Sequence, residues 1–253
     1  MAEIGSNLVG IIDKYGEDIK LIKPNYNLVT KTYDEISPTV YDLKLSALPA
    51  TKAAYNMVDR EYLFTGKITL PQMSQGEKIS DLKGCFLTRS IMPDVRYLLF
   101  SLILDPIEPT TMATLYTAQC NENIEVQKSS KVLNEFGDKV DGWVTFANIC
   151  GYGNTEPRSQ KKTQDGFFDE SIYVITIPSR YKVSTGMRII KKTFADGKIA
   201  KIAFRIESID TSLTDFNEET DEIYGVTRCQ LSKGEVIENE PNNGAEIWRA
   251  EVF

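Results

Sequence analysis

Apolar residues in this chain recur at every second position far more often than at helical spacing, and that period of two limits the folds open to it. Tyr41, Leu43 and Leu45 alternate with Asp42 and Lys44. Tyr173, Ile175 and Ile177 alternate with Ile172, Val174 and Thr176, and Ile202, Phe204 and Ile206 with Ala203, Arg205 and Glu207. Near the end, Trp248, Ala250 and Val252 do the same against Arg249 and Glu251. Residues 61–70 (EYLFTGKITL) read as a strand interrupted at Thr65-Gly66 and closed by Pro71. Residues 97–104 (YLLFSLIL) are apolar on both faces, and their position between Pro93 and Pro106 suits a buried strand better than a helix. Residues 112–120 (MATLYTAQC) are expected to return beside them. Many short strands with Gly and Pro punctuation point to antiparallel barrels or sandwiches.

Helical periodicity is sparse. Residues 5–15 suit a short helix, with Ser6 or Asn7 as cap, Leu8, Ile11 and Ile12 on one face, and Gly16 as a left-handed stop. Residues 51–59 are the best remaining candidate. The polar stretch 129–142 separates two strand groups. The expected architecture is therefore mainly β: two small antiparallel β-barrel or sandwich domains with a short N-terminal helix, divided as 1–133 and 134–253.

Composition narrows the chemistry. Of 253 residues, 42% are hydrophobic and 26% charged, as in a soluble globular protein, and the net charge of −7 argues against wrapping nucleic acid on a basic surface. There is no histidine. This excludes Ser-His-Asp and Cys-His catalysis, His-ligated zinc and an imidazole pH switch. Cys85, Cys120, Cys150 and Cys229 form no CxxC pair and read as reduced thiols packed as small apolar groups in a reducing cytosol. The N-terminus lacks the basic and continuous apolar regions of a signal peptide, and the longest apolar run is too short to cross a bilayer.

No motif supplies a reacting centre. GYGN at 151–154 has Glu156 where a dinucleotide fingerprint needs its third glycine. DFNEETDE at 215–222 spaces Asp215, Asn217, Glu219 and Asp221 like a calcium loop, but Thr220 and Val226 replace the required Gly and Glu. No catalytic residue, cofactor or metal is expected. An enzyme with a carboxylate pair stays open, because such partners meet only in space. Residues 154–171 are an eighteen-residue stretch without periodicity between two convincing strands, carrying Arg158, Lys161 and Lys162, with Phe167 and Phe168 at its base. They read as a protruding hairpin loop ordered by a partner, or as a mobile surface loop. Charge is uneven: residues 134–206 carry 12 basic and 8 acidic side chains, residues 207–253 carry 3 and 12. Such a surface suits stacking on a complementary neighbour, or consists of solvated loops that happen to differ.

The series WVTFANI, a long polar excursion, SIYVITIP, MRII and IAFRIESID, over about 143–210, resembles the small β-barrel of tailed-bacteriophage head–tail joining proteins (neck, head-completion or stopper type). The matching residues are Val174, Ile175 and Ile177, then Met187, Arg188 and Ile189, then Phe204, Arg205, Ile206, Ser208 and Ile209. NLVGIIDKYGEDIKLIKP (7–24) is similar to the helix and strand that open many phage neck and tail-completion proteins. The resemblance implies a structural virion protein and not an enzyme: a homo-oligomeric ring between portal or adaptor and tail proteins, present in the host cytoplasm during assembly. DNA would pass its channel without specific binding, and no membrane is involved. On that reading Arg158, Lys161, Lys162, Phe167 and Phe168 are loop contacts, and Asp215, Glu218, Glu219, Asp221 and Glu222 an inter-subunit or inter-ring surface. A tail-tube, tail-terminator or baseplate protein and a nucleic-acid-binding β-barrel are the alternatives.

Overall fold

A computed structural model describes residues 2–27, 32–48, 58–59, 61–133, 138–163, 166–195 and 198–241. They form two compact units. The first takes Met1–Cys120, Pro178–Lys182 and Thr211–Thr227; the second takes Asn121–Ile177, Val183–Asp210 and Arg228–Phe253. The chain thus passes from one unit to the next at Cys120/Asn121, and two later segments belong to the first unit. The polar stretch 129–142, expected as the boundary, lies within the second.

The first unit opens with helix α1 (Ala2–Tyr15). Ser6 and Asn7 lie inside it and not at its start, where a cap stands. Ile12 is buried whereas Ile11 is 48% exposed, so the inward face is narrower than the apolar spacing suggests. Gly16 is not left-handed. Its amide donates to the Ile12 carbonyl at 2.7 Å, and a Cβ there would lie 2.4 Å from that oxygen and 3.1 Å from Leu45 O. Close backbone approach, rather than a left-handed cap, is why glycine stands here.

Strands β1 (Glu17–Asn27), β2 (Thr32–Leu48), β3 (Leu63–Thr69), β4 (Phe86–Arg89), β5 (Met92–Leu104) and β6 (Met112–Gln119) follow, with a 3-10 helix at Ile79–Leu82. They close into an antiparallel barrel in the order β1-β2-β3-β6-β5-β4, with β4 pairing back onto β1. Ile19, Leu21, Leu43, Leu45, Leu87 and Leu99 fill it. Thr65-Gly66 does not interrupt β3 but lies within it. Tyr97, Leu98, Leu99 and Phe100 are buried on both faces as expected, while Ile103 and Leu104 at the far end of β5 are about half exposed. The candidate helix at 51–59 falls on residues of which 51–57 lie outside those described.

The second unit is built on β7 (Glu122–Leu133), β8 (Lys139–Thr163), β9 (Gly166–Pro178), β10 (Arg188–Ala195), β11 (Lys198–Asp210) and β14 (Glu235–Pro241), hydrogen-bonded in the order β9-β8-β7-β10-β11-β14. The 3-10 helix that follows β9 in the chain (Ser179–Tyr181) belongs to the first unit. Strand β13 (Glu222–Leu231) pairs with β9 and, through Arg228–Leu231, with β11, so β7-β8-β9-β13-β11-β10 is also a closed circuit. Ile124, Val126, Ile149, Ile189, Ile206 and Cys229 are among its buried side chains. Strand β12 (Thr214–Asn217) forms a hairpin with the start of β13.

The long excursion read as a loop is largely strand, and the acidic segment 215–222 is a turn flanked by strand ends. Residues 154–171 continue the β8–β9 ladder from Asn154 opposite Val174 to Thr163 opposite Gly166, with one bulge between Pro157 and Ser159. Residues 215–222 are the β12–β13 hairpin, turning through Asp221 at φ 56°. Backbone pairing carries both, so apolar alternation is not needed. The final alternation at 248–252 lies outside the described residues.

Closing a barrel makes its interior intolerant of lost volume. Leu99→Ala should destabilise the chain by about 2–5 kcal/mol in urea unfolding. A loss within about 0.5 kcal/mol would show that β5 does not face a packed interior.

Candidate functional site: two clamps and a buried ion cluster

In the first barrel, β1 and β4 meet with Ile19 opposite Arg89 and Leu21 opposite Leu87. The Arg89 Nη2 and Nε donate to Glu17 Oε2 at 2.7 and 3.1 Å, with both side chains less than 15% exposed. The guanidinium also covers the Phe64 ring at 4.3 Å, and Phe64 packs on Tyr97 with centroids 5.3 Å apart. Burial acts against the Arg89 charge, but Glu17 outweighs it and holds the pKa above its ordinary value. A cation held between a carboxylate and an aromatic face is stronger than an exposed pair.

In the second unit the β7–β10 seam places Ile124 opposite Lys191 and Val126 opposite Ile189. Lys191 pairs with Glu122 and lies 5.2 Å from the Tyr173 ring centroid. Tyr173 donates its hydroxyl to the same Glu122 carboxylate and packs on Phe204 at 6.0 Å. Burial, then the Glu122 carboxylate, pushes the Tyr173 phenol well above its ordinary pKa. Gly153 is required here, because a Cβ would lie 2.4 Å from the Tyr173 hydroxyl and 2.8 Å from Glu122 Cγ. The Asn121 amide brackets it, accepting from Gly153 N at 2.7 Å and donating to Gly153 O at 2.8 Å. GYGN is thus a packing motif inside β8.

A third cluster belongs to the first unit. Lys23, 5% exposed, places its Nζ 2.8 Å from Glu77 and 2.5 Å from Glu222; Tyr41 donates to Glu77 at 3.0 Å, and so does the Ser74 amide at 3.2 Å. Burial opposes the Lys23 charge, but Glu222 and Glu77 outweigh it and raise the pKa. Burial likewise opposes the Glu77 charge, and Lys23, then Tyr41, outweigh it and lower the pKa. Nearby, Asn217 donates to Asp81 and to Gly76 O at 3.0 Å and is 1% exposed. These groups fix the β12–β13 hairpin within the first unit.

The residues singled out in the sequence divide between the units. Arg158, Lys161 and Lys162 lie in β8, and Phe167 and Phe168 in β9; Lys161 stands opposite Phe168 and Lys162 opposite Phe167, while their side chains fall outside those described. Asp215, Glu218, Glu219, Asp221 and Glu222 lie on the β12–β13 hairpin. Glu222 is tied to Lys23. Glu219 reaches Lys78 at 3.4 Å with both side chains more than half exposed, a pair of little energetic weight. Asp215 is exposed, and the Phe216 amide, then Tyr224, hold its carboxyl below the usual range. Among the described residues no group of three or more ligating side chains converges as a metal site. Cys85 and Cys229 are buried, Cys120 and Cys150 partly so, none joined in a disulfide, and burial pushes Cys229 up to about 12. Among the described residues no helix is long and apolar enough to cross a membrane.

Glu17, Arg89, Glu122, Tyr173, Lys191, Lys23 and Glu77 were not among the sequence-derived candidates. Each sits on an ordinary strand or turn, and only the cross-strand register brings them together. No protein-family profile and no curated protein matches this chain.

The Glu77 shift has a defined sign. Its lowered pKa stabilises the fold above the unfolded carboxylate value near pH 4.3, and that contribution is lost as pH falls through the folded value. Lys23, raised, contributes below about pH 10.4 and loses it at still higher pH. Glu77→Gln should therefore be less stable than wild type at neutral pH and show a shallower loss on acidification from about pH 5 to pH 3. Parallel urea midpoints for the two proteins across that range would contradict this assignment.

Proposed function

We propose that this chain is a structural protein of a tailed-phage virion, a ring-forming connector of the neck that joins the portal-side head assembly to the tail. The observation that carries the reading is the placement of residues 143–210. The strands that resemble the head–tail joining barrel, β8, β9, β10 and β11, lie in one sheet, and the excursion between the first two is a long antiparallel hairpin. A protein of this kind works by shape and has no reacting centre. Closed strand circuits supply stiffness, and further copies of the chain, portal or adaptor proteins and tail proteins are its partners. The β8–β9 hairpin is the element that reaches a neighbour or the channel. A net charge of −7 suits a lumen through which DNA slides, since like charges keep phosphate from adsorbing. The protein is made in the host cytoplasm and retained in the virion.

Negative-stain imaging of the purified full chain, followed by its addition to heads and tails from particles lacking it, tests this. Closed rings and restored joining are expected. Stacked tubes would move the protein to the tail, and a protein that stays monomeric and restores nothing would remove the connector reading.

A further inference from the structure

The two strand circuits share more than a general resemblance. Their connectivity is identical: β1-β2-β3-β6-β5-β4 in one and β7-β8-β9-β13-β11-β10 in the other. In both, a proline stands at or just beyond the end of the third strand (Pro178, Pro71), a 3-10 helix comes next along the chain, and a left-handed glycine precedes the fourth strand.

The match extends to single residues. Ile19, Lys20, Leu21 and Ile22 face Arg89, Thr88, Leu87 and Phe86; Ile124, Glu125, Val126 and Gln127 face Lys191, Ile190, Ile189 and Arg188. Gly84, at φ 76°, donates its amide to Leu99 O, and Leu99 donates back to Cys85 O. Gly186, at φ 84°, donates to Ile206 O, and Ile206 donates back to Met187 O. A bulge falls between Leu99 and Ser101 on β5, and another between Ile206 and Ser208 on β11. The ladder resumes with Ser101 opposite Tyr116 in one and Ser208 opposite Gln230 in the other, followed by Leu102 opposite Leu115 and Ile209 opposite Cys229, where Leu115 and Cys229 are fully buried. A bulge adds one residue to one strand at one point, so its recurrence at the same place is not required by closing six strands.

We propose that the chain is a tandem duplication of one six-stranded module, and that Glu17–Arg89–Phe64–Tyr97 and Glu122–Lys191–Tyr173–Phe204 are the two copies of a single clamp. The clamp joins the first strand to the fourth, with the carboxylate on the first, the cation on the fourth, and aromatic rings from the third and fifth beneath. Each copy thereby pins the register of four of the six strands. A one-residue slip at this seam would turn every inward side chain outward. The fold unit of this protein is the module, not the chain, and α1, the β12 hairpin, β14 and the extension of β10–β11 to Ala195 opposite Lys198 are additions to it. The inference stands without the connector reading, because it rests on connectivity and register alone.

Double-mutant cycles on the full chain test it, with Glu17→Gln and Arg89→Met in one and Glu122→Gln and Lys191→Met in the other, each followed by urea unfolding. Both pairs should show favourable coupling of the same sign, each about three- to tenfold in the unfolding constant, with no comparable coupling between the two pairs. Coupling at one pair alone would overturn the equivalence. Arg89→Lys and Lys191→Arg, which only make each clamp resemble the other, keep the test decisive if the deletions unfold the protein: both variants should fold and retain coupling to their own glutamate. A crystal structure must also superpose the two seams, with Glu17 and Arg89 over Glu122 and Lys191. Different side-chain placement there would refute the duplicated clamp.

Discussion

Every open sheet edge leaves a row of backbone N–H and C=O groups without partners, and a chain that is mostly strand must deal with those edges before it can be anything else. Here the return of β4 to β1, and of β10 to β7, removes them from the six strands of each circuit. Everything else depends on that closure. It fixes which residues point inward, gives each circuit a filled interior, and brings a carboxylate and a cation from strands about seventy residues apart in sequence into contact.

Several partly buried charged groups lie where a strand needs its register or a hairpin its position. Glu17 and Arg89 sit at a closing seam, as do Glu122 and Lys191, while Lys23, Glu77 and Glu222 hold the β12–β13 hairpin. A partly buried ion pair contributes modestly to net stability because desolvation offsets much of its attraction, but removing one partner leaves a costly charge behind. Such pairs are therefore better at selecting one register than at adding bulk stability. The aromatic rings beneath the two clamp cations serve the same end by shielding them from solvent.

Much of the fold was legible in the sequence. Wherever one face of a strand is buried, alternation shows it, and the mainly β architecture, the short leading helix and the buried strand at Tyr97–Phe100 all follow from that signal. It failed where both faces are polar, as in residues 154–163, which are paired by their backbones, and at the β12–β13 hairpin, where β12 has only four residues and is too short to show a rhythm. It failed again at Gly16, where glycine answers to the nearness of Leu45 and not to a left-handed turn. The clamps were illegible because register is a non-local property. The repeat left only short traces, EDIKLI against ENIEVQ and GCFLTR against GMRIIK, and turns of unequal length shift the spacing between them, which hides it from any fixed-period reading.

Two closed strand circuits, each locked where its first strand meets its fourth, are the stable frame of the protein. Native-state hydrogen exchange read residue by residue tests this most directly. The seam amides of β1, β4, β7 and β10 should be among the slowest in the chain and exchange only through global unfolding. Rapid exchange along either seam, with protection confined to the local β8–β9 and β10–β11 hairpins, would contradict closure.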